Sequence, residues 1–245
     1  MSSLGFPRRH FRSTDSTNAR AKELADAGAP DGLVVTADEQ SAGRGRQGRS
    51  WFAPAGAALL YSALLRPAGE RPLLPIAVPL AVCTAAESVA DVSCEVKWPN
   101  DVWLEGRKLA GILIESRPGP RDDGWTVIGV GLNLAIPEDE FPAELRGSAT
   151  SLAASTAPGG GSAGGPDHGD VLAAVNHELE RWVDARPARI LESFRERDAL
   201  RERRISWEGG SGVAAGIDES GHLLVATDPG EIALGAGEVH LSLED

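Results

Sequence analysis

Gly43-Arg44-Gly45-Arg46-Gln47-Gly48-Arg49-Ser50-Trp51 is the stretch on which the fold turns. Glycines at 43, 45 and 48 satisfy the dinucleotide pattern Gly-x-Gly-x-x-Gly, and Glu70 stands about where a ribose-binding acid would follow. That pattern must open a helix to work, because the pyrophosphate it holds sits on a helix N-terminus. Here Pro54 and Gly56 follow within a few residues and the next regular segment, Leu59 to Leu65, reads as an apolar strand, so the dinucleotide fold is set aside. The stretch is instead a loop between strands. From Ser41 to Gly69 the chain holds four arginines (Arg44, Arg46, Arg49, Arg66) and no acid, in a protein of net charge -12. A local positive field therefore stands against an acidic background. Guanidinium forks suit bidentate contact with phosphate or carboxylate, and the glycines let the backbone approach a ligand closely. A solvated basic loop without a ligand is the plain alternative, and motifs elsewhere decide between the two.

Upstream, Thr17 to Ala27 is expected to be a helix capped by Ser16 or Thr17 and stopped at Gly28, with Ala21, Leu24 and Ala25 on its buried face. Its first turn gathers Ser16, Thr17 and Asn18, and hydroxyls and free amides at a helix start serve polar ligand atoms as well as caps. Leu33 to Ala37 is a short strand that brings Glu39 and Gln40 to the arginine loop. Downstream, Ile76 to Ala90 reads as a buried helix, and Cys94 to Lys97 and Val102 to Leu104 as strands about the turn Pro99-Asn100-Asp101. Lys108 to Glu115 is a further strand. Trp125 to Leu134 alternates an apolar face (Thr126, Ile128, Val130, Leu132, Leu134) with one carrying Gly129, Gly131 and Asn133, and glycine in a strand marks a close approach of ligand or backbone.

Thr156 to Gly169 holds six glycines in fourteen residues. Such a tract buries too little apolar surface to offset its ordering entropy, so 156–169 is expected to be a flexible loop. Asp170 to Ala185, capped by Asp170, and Ile190 to Arg201 read as helices. From Arg204 on, short strands alternate with glycine-rich turns. The expected organisation is α/β, with a main domain over 1–200 and a small β domain over 201–245 packed on it.

With 245 residues, 42% apolar and 24% charged, the composition is that of an ordinary globular chain. A pI near 4.9 argues against nucleic acid or anionic membrane as partner, since both need a broadly positive surface. Cys83 and Cys94 have neither metal-ligand spacing nor the density of a disulfide scaffold, which fits reduced thiols in a cytoplasmic protein. Residues 1–12 lack an apolar run of signal-peptide length, and Leu73 to Ala90 is broken by Pro75, Pro79, Thr84 and Glu87, so no membrane span is expected. None of the five histidines lies in a motif, and no Ser-His-Asp spacing occurs. Cations without an evident nucleophile argue against covalent hydrolytic catalysis.

Motifs then follow in order: Asp15-Ser16-Thr17-Asn18 with Glu39-Gln40; the arginine loop; Lys97-Trp98-Pro99-Asn100-Asp101; Arg107-Lys108-Leu109-Ala110-Gly111-Ile112; and Gly129-Val130-Gly131-Leu132-Asn133. In that order they resemble the biotin protein ligases (biotin–acetyl-CoA-carboxylase ligases), from about Ser13 to Asn133 and weakly again in the C-terminal tail. The resemblance implies a class II synthetase-like mixed-sheet catalytic domain with a small C-terminal SH3-like β-barrel. It implies an ATP-dependent ligase that forms biotinyl-5′-AMP, with Mg2+ accompanying ATP, and transfers biotin to a lysine in the biotin carboxyl carrier domain of a carboxylase.

By the same resemblance, Ser16, Thr17, Asn18 and Gln40 hold the biotin head, while Arg44, Gly45, Arg46 and Lys108 close on its carboxylate end. Arg46, Arg49, Trp51, Asn100 and Asn133 take ATP, Asp101 sits near magnesium, and Lys108, Arg44 and Arg46 are the catalytic cations. A lysine suits this task, because a compact ammonium meets two anionic oxygens at once. Trp98 and Trp103 are expected in the core, with Lys97 intermediate. Only fifteen residues precede Ser16, too few for a helix-turn-helix when one helix takes about 11 to 12. A short form without a DNA-binding domain, and without a DNA partner, is therefore expected. A lipoate or octanoyl ligase of the same fold is the runner-up.

Overall fold

A computed structural model describes residues 4–69, 71–119, 123–155, 165–235 and 237–241. In chain order its first half runs β1 (Arg8–Thr14), α1 (Thr17–Asp26), β2 (Val34–Gln40), β3 (Ala58–Leu65), α2 (Leu74–Val89), β4 (Cys94–Lys97), β5 (Asp101–Leu104), β6 (Arg107–Arg117) and β7 (Trp125–Asn133). The second half runs α3 (Leu152–Ser155), α4 (His168–Val183), α5 (Pro187–Arg197), β8 (Arg204–Trp207), β9 (Gly210–Ile217), β10 (Leu223–Thr227), β11 (Gly230–Leu234) and β12 (Val239–Leu241).

Every residue of β3 is buried, which requires cover on both faces and a place inside a sheet. The sheet has seven strands in the order β1-β2-β3-β7-β6-β5-β4. It is mixed: β1 and β2 pair in parallel and all other neighbours are antiparallel. Ala21 and Ala25 of α1 close one face over Leu33, Val35, Leu64 and Val127. The other face packs on α2 and α4, with Leu80, Val82, Val175 and Leu179 against Ile128, Val130 and Leu132. The strand expected to have one apolar face, β7, is thus buried on both, because α1 covers the side that carries its glycines.

A second, five-stranded antiparallel sheet runs β11-β10-β9-β8-β12. Its Ile205, Ala214, Leu223 and Val225 join the same core as α2, and the Trp98 indole N–H donates to the Gly221 carbonyl at 3.0 Å, tying the two sheets together. Among the described residues no ladder joins β11 to β12, so the sheet is open at that seam rather than a closed barrel.

Three local readings change. The strand β1 had no visible signal, because its RRHFRST sequence is exposed along most of its length and forms only by pairing with β2. The cap of α4 is Asp167, whose Oδ1 accepts from the N–H groups of Gly169 at 2.7 Å and Asp170 at 3.2 Å, so Asp170 lies in the first turn and the expected loop is helical by His168. The rest of that tract, 156–164, lies outside the described residues. Finally, Pro187 opens α5 as well as following α4, since its missing N–H costs nothing at a helix start. Cys83 and Cys94 are free and buried, and no helix among the described residues is long and apolar enough to cross a membrane.

Asp198, between α5 and β8, is held at about pKa 6, chiefly by burial and despite the N–H of Leu200 donating to its Oδ1 at 2.9 Å. A carboxyl that keeps its proton to higher pH when folded than when unfolded makes the folded state the greater proton binder between about pH 4 and 6, so stability falls as pH rises through that window. Asp198→Asn keeps the Leu200 bond and removes the charge. The variant is expected to exceed the wild type by on the order of 1 to 3 kcal/mol at pH 7 and to match it near pH 4. Urea unfolding across pH 4 to 8 measures this; equal stabilities at pH 7 would show that the carboxylate carries no burial cost.

Candidate active site

Strand parity would send Lys108 to the wrong side. Gly111 faces the cavity beside Asp101 and Gly131, its partners across β5 and β7. Strict alternation puts a residue three positions earlier on the opposite face. The ladder to β5 instead skips a residue: Val102 pairs with Ala110 but Trp103 pairs with Lys108. Leu109 bulges into the core, fully buried, and Lys108 returns to the cavity face. Its Nζ lies 2.7 Å from Asp101 Oδ1, an ion pair without hydrogen-bond alignment, since that oxygen is buried with no hydrogen-bond partner.

Gly111 and Gly131 sit opposite each other and form a notch. A Cβ at Gly111 would stand 2.9 Å from the Trp51 ring, and one at Gly131 would be closer still. The Trp51 indole fills the notch, with Lys108 Nζ 5.8 Å from its ring centroid. It thereby moors the arginine loop, which is a narrow hairpin: Gly45 N–H donates to Arg49 O at 2.7 Å and Trp51 N–H to Gly43 O at 3.0 Å, around a 3-10 turn at Arg46–Gly48. Arg46 Nη1 donates to Asn100 Oδ1 at 3.3 Å. Arg49 makes a two-pronged pair with Glu238, just before β12. Arg44 is exposed.

At the other end the floor is polar and neutral. Ser16 caps α1, and Gln40 Oε1 accepts from the Thr17 N–H at 2.8 Å and its hydroxyl at 3.1 Å. Asn18 is engaged by the protein on all sides: its Nδ2 donates to Leu113 O and Glu115 Oε2, and Ser62 Oγ lies 2.6 Å from its Oδ1. Burial pushes Glu115 up, but hydrogen bonds from Lys22 and Asn18 outweigh it and hold the carboxyl below its usual range. Asn18 therefore braces α1 against β6, under Gly129.

All of the residues expected at the site line one cavity of about 410 Å³, which is within the roughly 300 to 1,000 Å³ of small-molecule sites. Two polar atoms in its wall, Trp51 Nε1 and Asn133 Oδ1, are buried with neither a hydrogen bond nor an ion pair, whereas Asp101 Oδ1 has its Lys108 ion pair. Buried polar groups are nearly always paired, so orphans converging on one cavity indicate a ligand that completes them. Asn133 Nδ2 is already spent on Thr150 O at 2.9 Å.

Sequence reasoning missed two contributors. Lys97 lines the cavity, paired across the β4–β5 turn with Asp101 and 5.2 Å from the Trp103 centroid. Burial pushes its ammonium below the ordinary lysine range, against the pull of Asp101. Its place in the Lys-Trp-Pro-Asn-Asp motif was the available signal. Gly237–His240 also line the cavity, and nothing local in that tail announced it. Trp98 is core as expected, whereas Trp103 is only half-buried and lines the cavity.

Residues 10–133 match the model of the biotin/lipoate A/B protein ligase family. The biotin–[acetyl-CoA-carboxylase] ligase of Mycobacterium tuberculosis is 34% identical over 244 residues, covering 92% of this chain and 85% of its own. The bifunctional ligase/repressor BirA of Bacillus spizizenii is 33% identical over 233 residues, covering 92% of this chain and 71% of its own. Among solved structures, the biotin protein ligase from Aquifex aeolicus in complex with biotin and ATP superposes with a TM-score of 0.80 at 26% identity, over 96% of this chain and 99% of that one. On a family match across half its length and relatives above 30% identity along nearly all of it, this chain belongs to the biotin/lipoate A/B protein ligase family.

Proposed function

We propose that this protein is an ATP-dependent biotin–protein ligase, which activates biotin as biotinyl-5′-AMP and transfers it to a lysine of a biotin carboxyl carrier protein. The observation that carries the reading is one cavity lined by five cations, Arg44, Arg46, Arg49, Lys97 and Lys108, against two carboxylates, Asp101 and Glu238, with a neutral polar floor at the far end. Such a lining suits a substrate with an uncharged polar head and an anionic tail joined to phosphate. It holds cations and no activated nucleophile, as acyl-adenylate formation requires: the biotin carboxylate oxygen bonds to the α-phosphorus of ATP, and pyrophosphate leaves. In the second half-reaction a lysine amine of the carrier attacks the acyl carbon, loses a proton and displaces AMP.

In this reading Ser16, Thr17 and Gln40 receive the biotin head, with Asn18 as their brace. Arg44, Gly45, Arg46 and Lys108 hold the carboxylate and α-phosphate, and Trp51, Asn100 and Asn133 border the adenine. Arg49 exchanges Glu238 for the departing pyrophosphate. Asp101 would hold, as one carboxylate ligand, the magnesium ion that accompanies ATP, and that ion would supply charge neutralisation at the phosphates. The same reading assigns 1–200 to a synthetase-like catalytic domain and 201–245 to an SH3-like domain, supported by α5 ending at Arg197 and every strand of the second sheet lying beyond residue 203. Two free thiols support a cytoplasmic setting.

The activity is tested by incubating the protein with Mg-ATP and either biotin or lipoate. Pyrophosphate release and biotinyl-5′-AMP are expected with biotin, followed by labelling of one carrier lysine; preference for lipoate would overturn the reading in favour of the related acyl ligase.

Lys108→Ala is expected to slow adenylation roughly a hundredfold or more, the effect of losing about 2 to 4 kcal/mol of charge stabilisation made in the transition state. Its Asp101 contact is off hydrogen-bond alignment and its own side chain is 35% exposed, so the melting temperature should move little. An unchanged rate per folded molecule beside a lowered melting temperature would make Lys108 structural. Lys97, being in the same cavity, is not an inert control.

A further inference from the structure

We infer that β1 is the docking strand for the protein that accepts biotin, and that it takes an acidic extended segment of that protein by strand addition. This rests on the ligase reading and adds where its macromolecular substrate binds. β1 ends the seven-stranded sheet, and among the described residues nothing pairs with its outer side. Val34 N–H donates to Pro7 O, so the alternation of a parallel ladder turns the N–H and C=O groups of Arg8, His10 and Arg12 outward. The positions with free backbone groups are therefore the ones bearing basic side chains, and all three are exposed, as is Arg9. Arg9 and Arg12 have no hydrogen bond or ion pair among the described residues, while Arg8 and His10 reach Thr36, and His10 also Asp38 at 3.3 Å.

Asp15 follows β1 at its C-terminal end, and Asp38 and Glu39 lie on β2, the inner neighbour. An added strand would run about 4.8 Å outside β1 and meet its arginines directly, with the β2 acids a second strand spacing away. Phe6, at the head of the strand, is 79% exposed, against 37% for Ile232, the other exposed large apolar residue among those described, and offers an apolar anchor. At its other end β1 runs through Thr14 and Asp15 into Ser16, and pairs Thr14 with Gln40; Ser16 and Gln40 line the cavity. A segment lying along β1 is thereby led to the mouth of the site. A second copy of this chain fits poorly, because pairing β1 with itself sets arginine against arginine.

The test compares the full-length wild type with Arg9→Glu/Arg12→Glu, using a purified biotin carboxyl carrier domain. Adenylate formation without acceptor should be equal in both. In the transfer step the variant's KM for the carrier should rise roughly tenfold or more at unchanged kcat, and the wild type, unlike the variant, should weaken with added salt. Hydrogen exchange of residues 8–14 should slow when carrier is added. Adenylate formation with an unchanged KM and unprotected 8–14 would overturn the docking site alone, as would protection arising from self-association or from duplex DNA instead of carrier. A wild type that makes no biotinyl adenylate would overturn the ligase reading and this inference with it.

Discussion

The site hangs on a contact that excludes side chains: Gly111 facing Gly131 across β6 and β7, with the Trp51 indole laid into the gap. Any Cβ there would push the ring off the sheet. Because the ring is the C-terminal post of the arginine hairpin, the notch sets where three arginines stand relative to the sheet. The bulge at Leu109 is its counterpart, turning Lys108 onto the same surface. One feature carries the loop to the strands and the other brings a strand residue to the loop.

Charge is arranged by the same economy of position. In a chain of net charge -12, the cavity gathers Arg44, Arg46, Arg49, Lys97 and Lys108. Three of them meet protein acceptors: Asp101 takes Lys108, Asn100 takes Arg46, and Glu238 takes Arg49. These contacts are exposed or poorly aligned, and such pairs are individually weak. A multiply charged ligand can therefore displace them at small cost. Lys97 differs in being half-buried, which holds its ammonium below the ordinary lysine range.

The second sheet is part of this arrangement rather than an appendage. It shares the core of α2, holds the Trp98 indole through Gly221, and sends Glu238 to the arginine loop. Arg49 and Glu238 lie 189 residues apart in the chain, so the tail touches the loop only through the tertiary fold.

Much of the molecule was legible in its sequence, wherever a rule acts over a few residues. Apolar runs located β3, α2 and β7 to within two residues; Ser16 and Gly28 bounded α1; glycine in β7 announced a close approach; and the motifs named the residues that line the cavity. Other features depended on partners. The strand β1 has no pattern of its own and exists because β2 offers it an edge, and α4 is capped by Asp167 rather than Asp170, a choice between two nearby acids that backbone geometry settles. The face that Lys108 occupies, the indole in the glycine notch and the reach of Glu238 were decided only in three dimensions. The physical reason is that sequence carries each residue's chemistry and its local period, whereas one bulged residue reverses a strand's parity and contacts between distant segments depend on register, which long-range pairing alone determines.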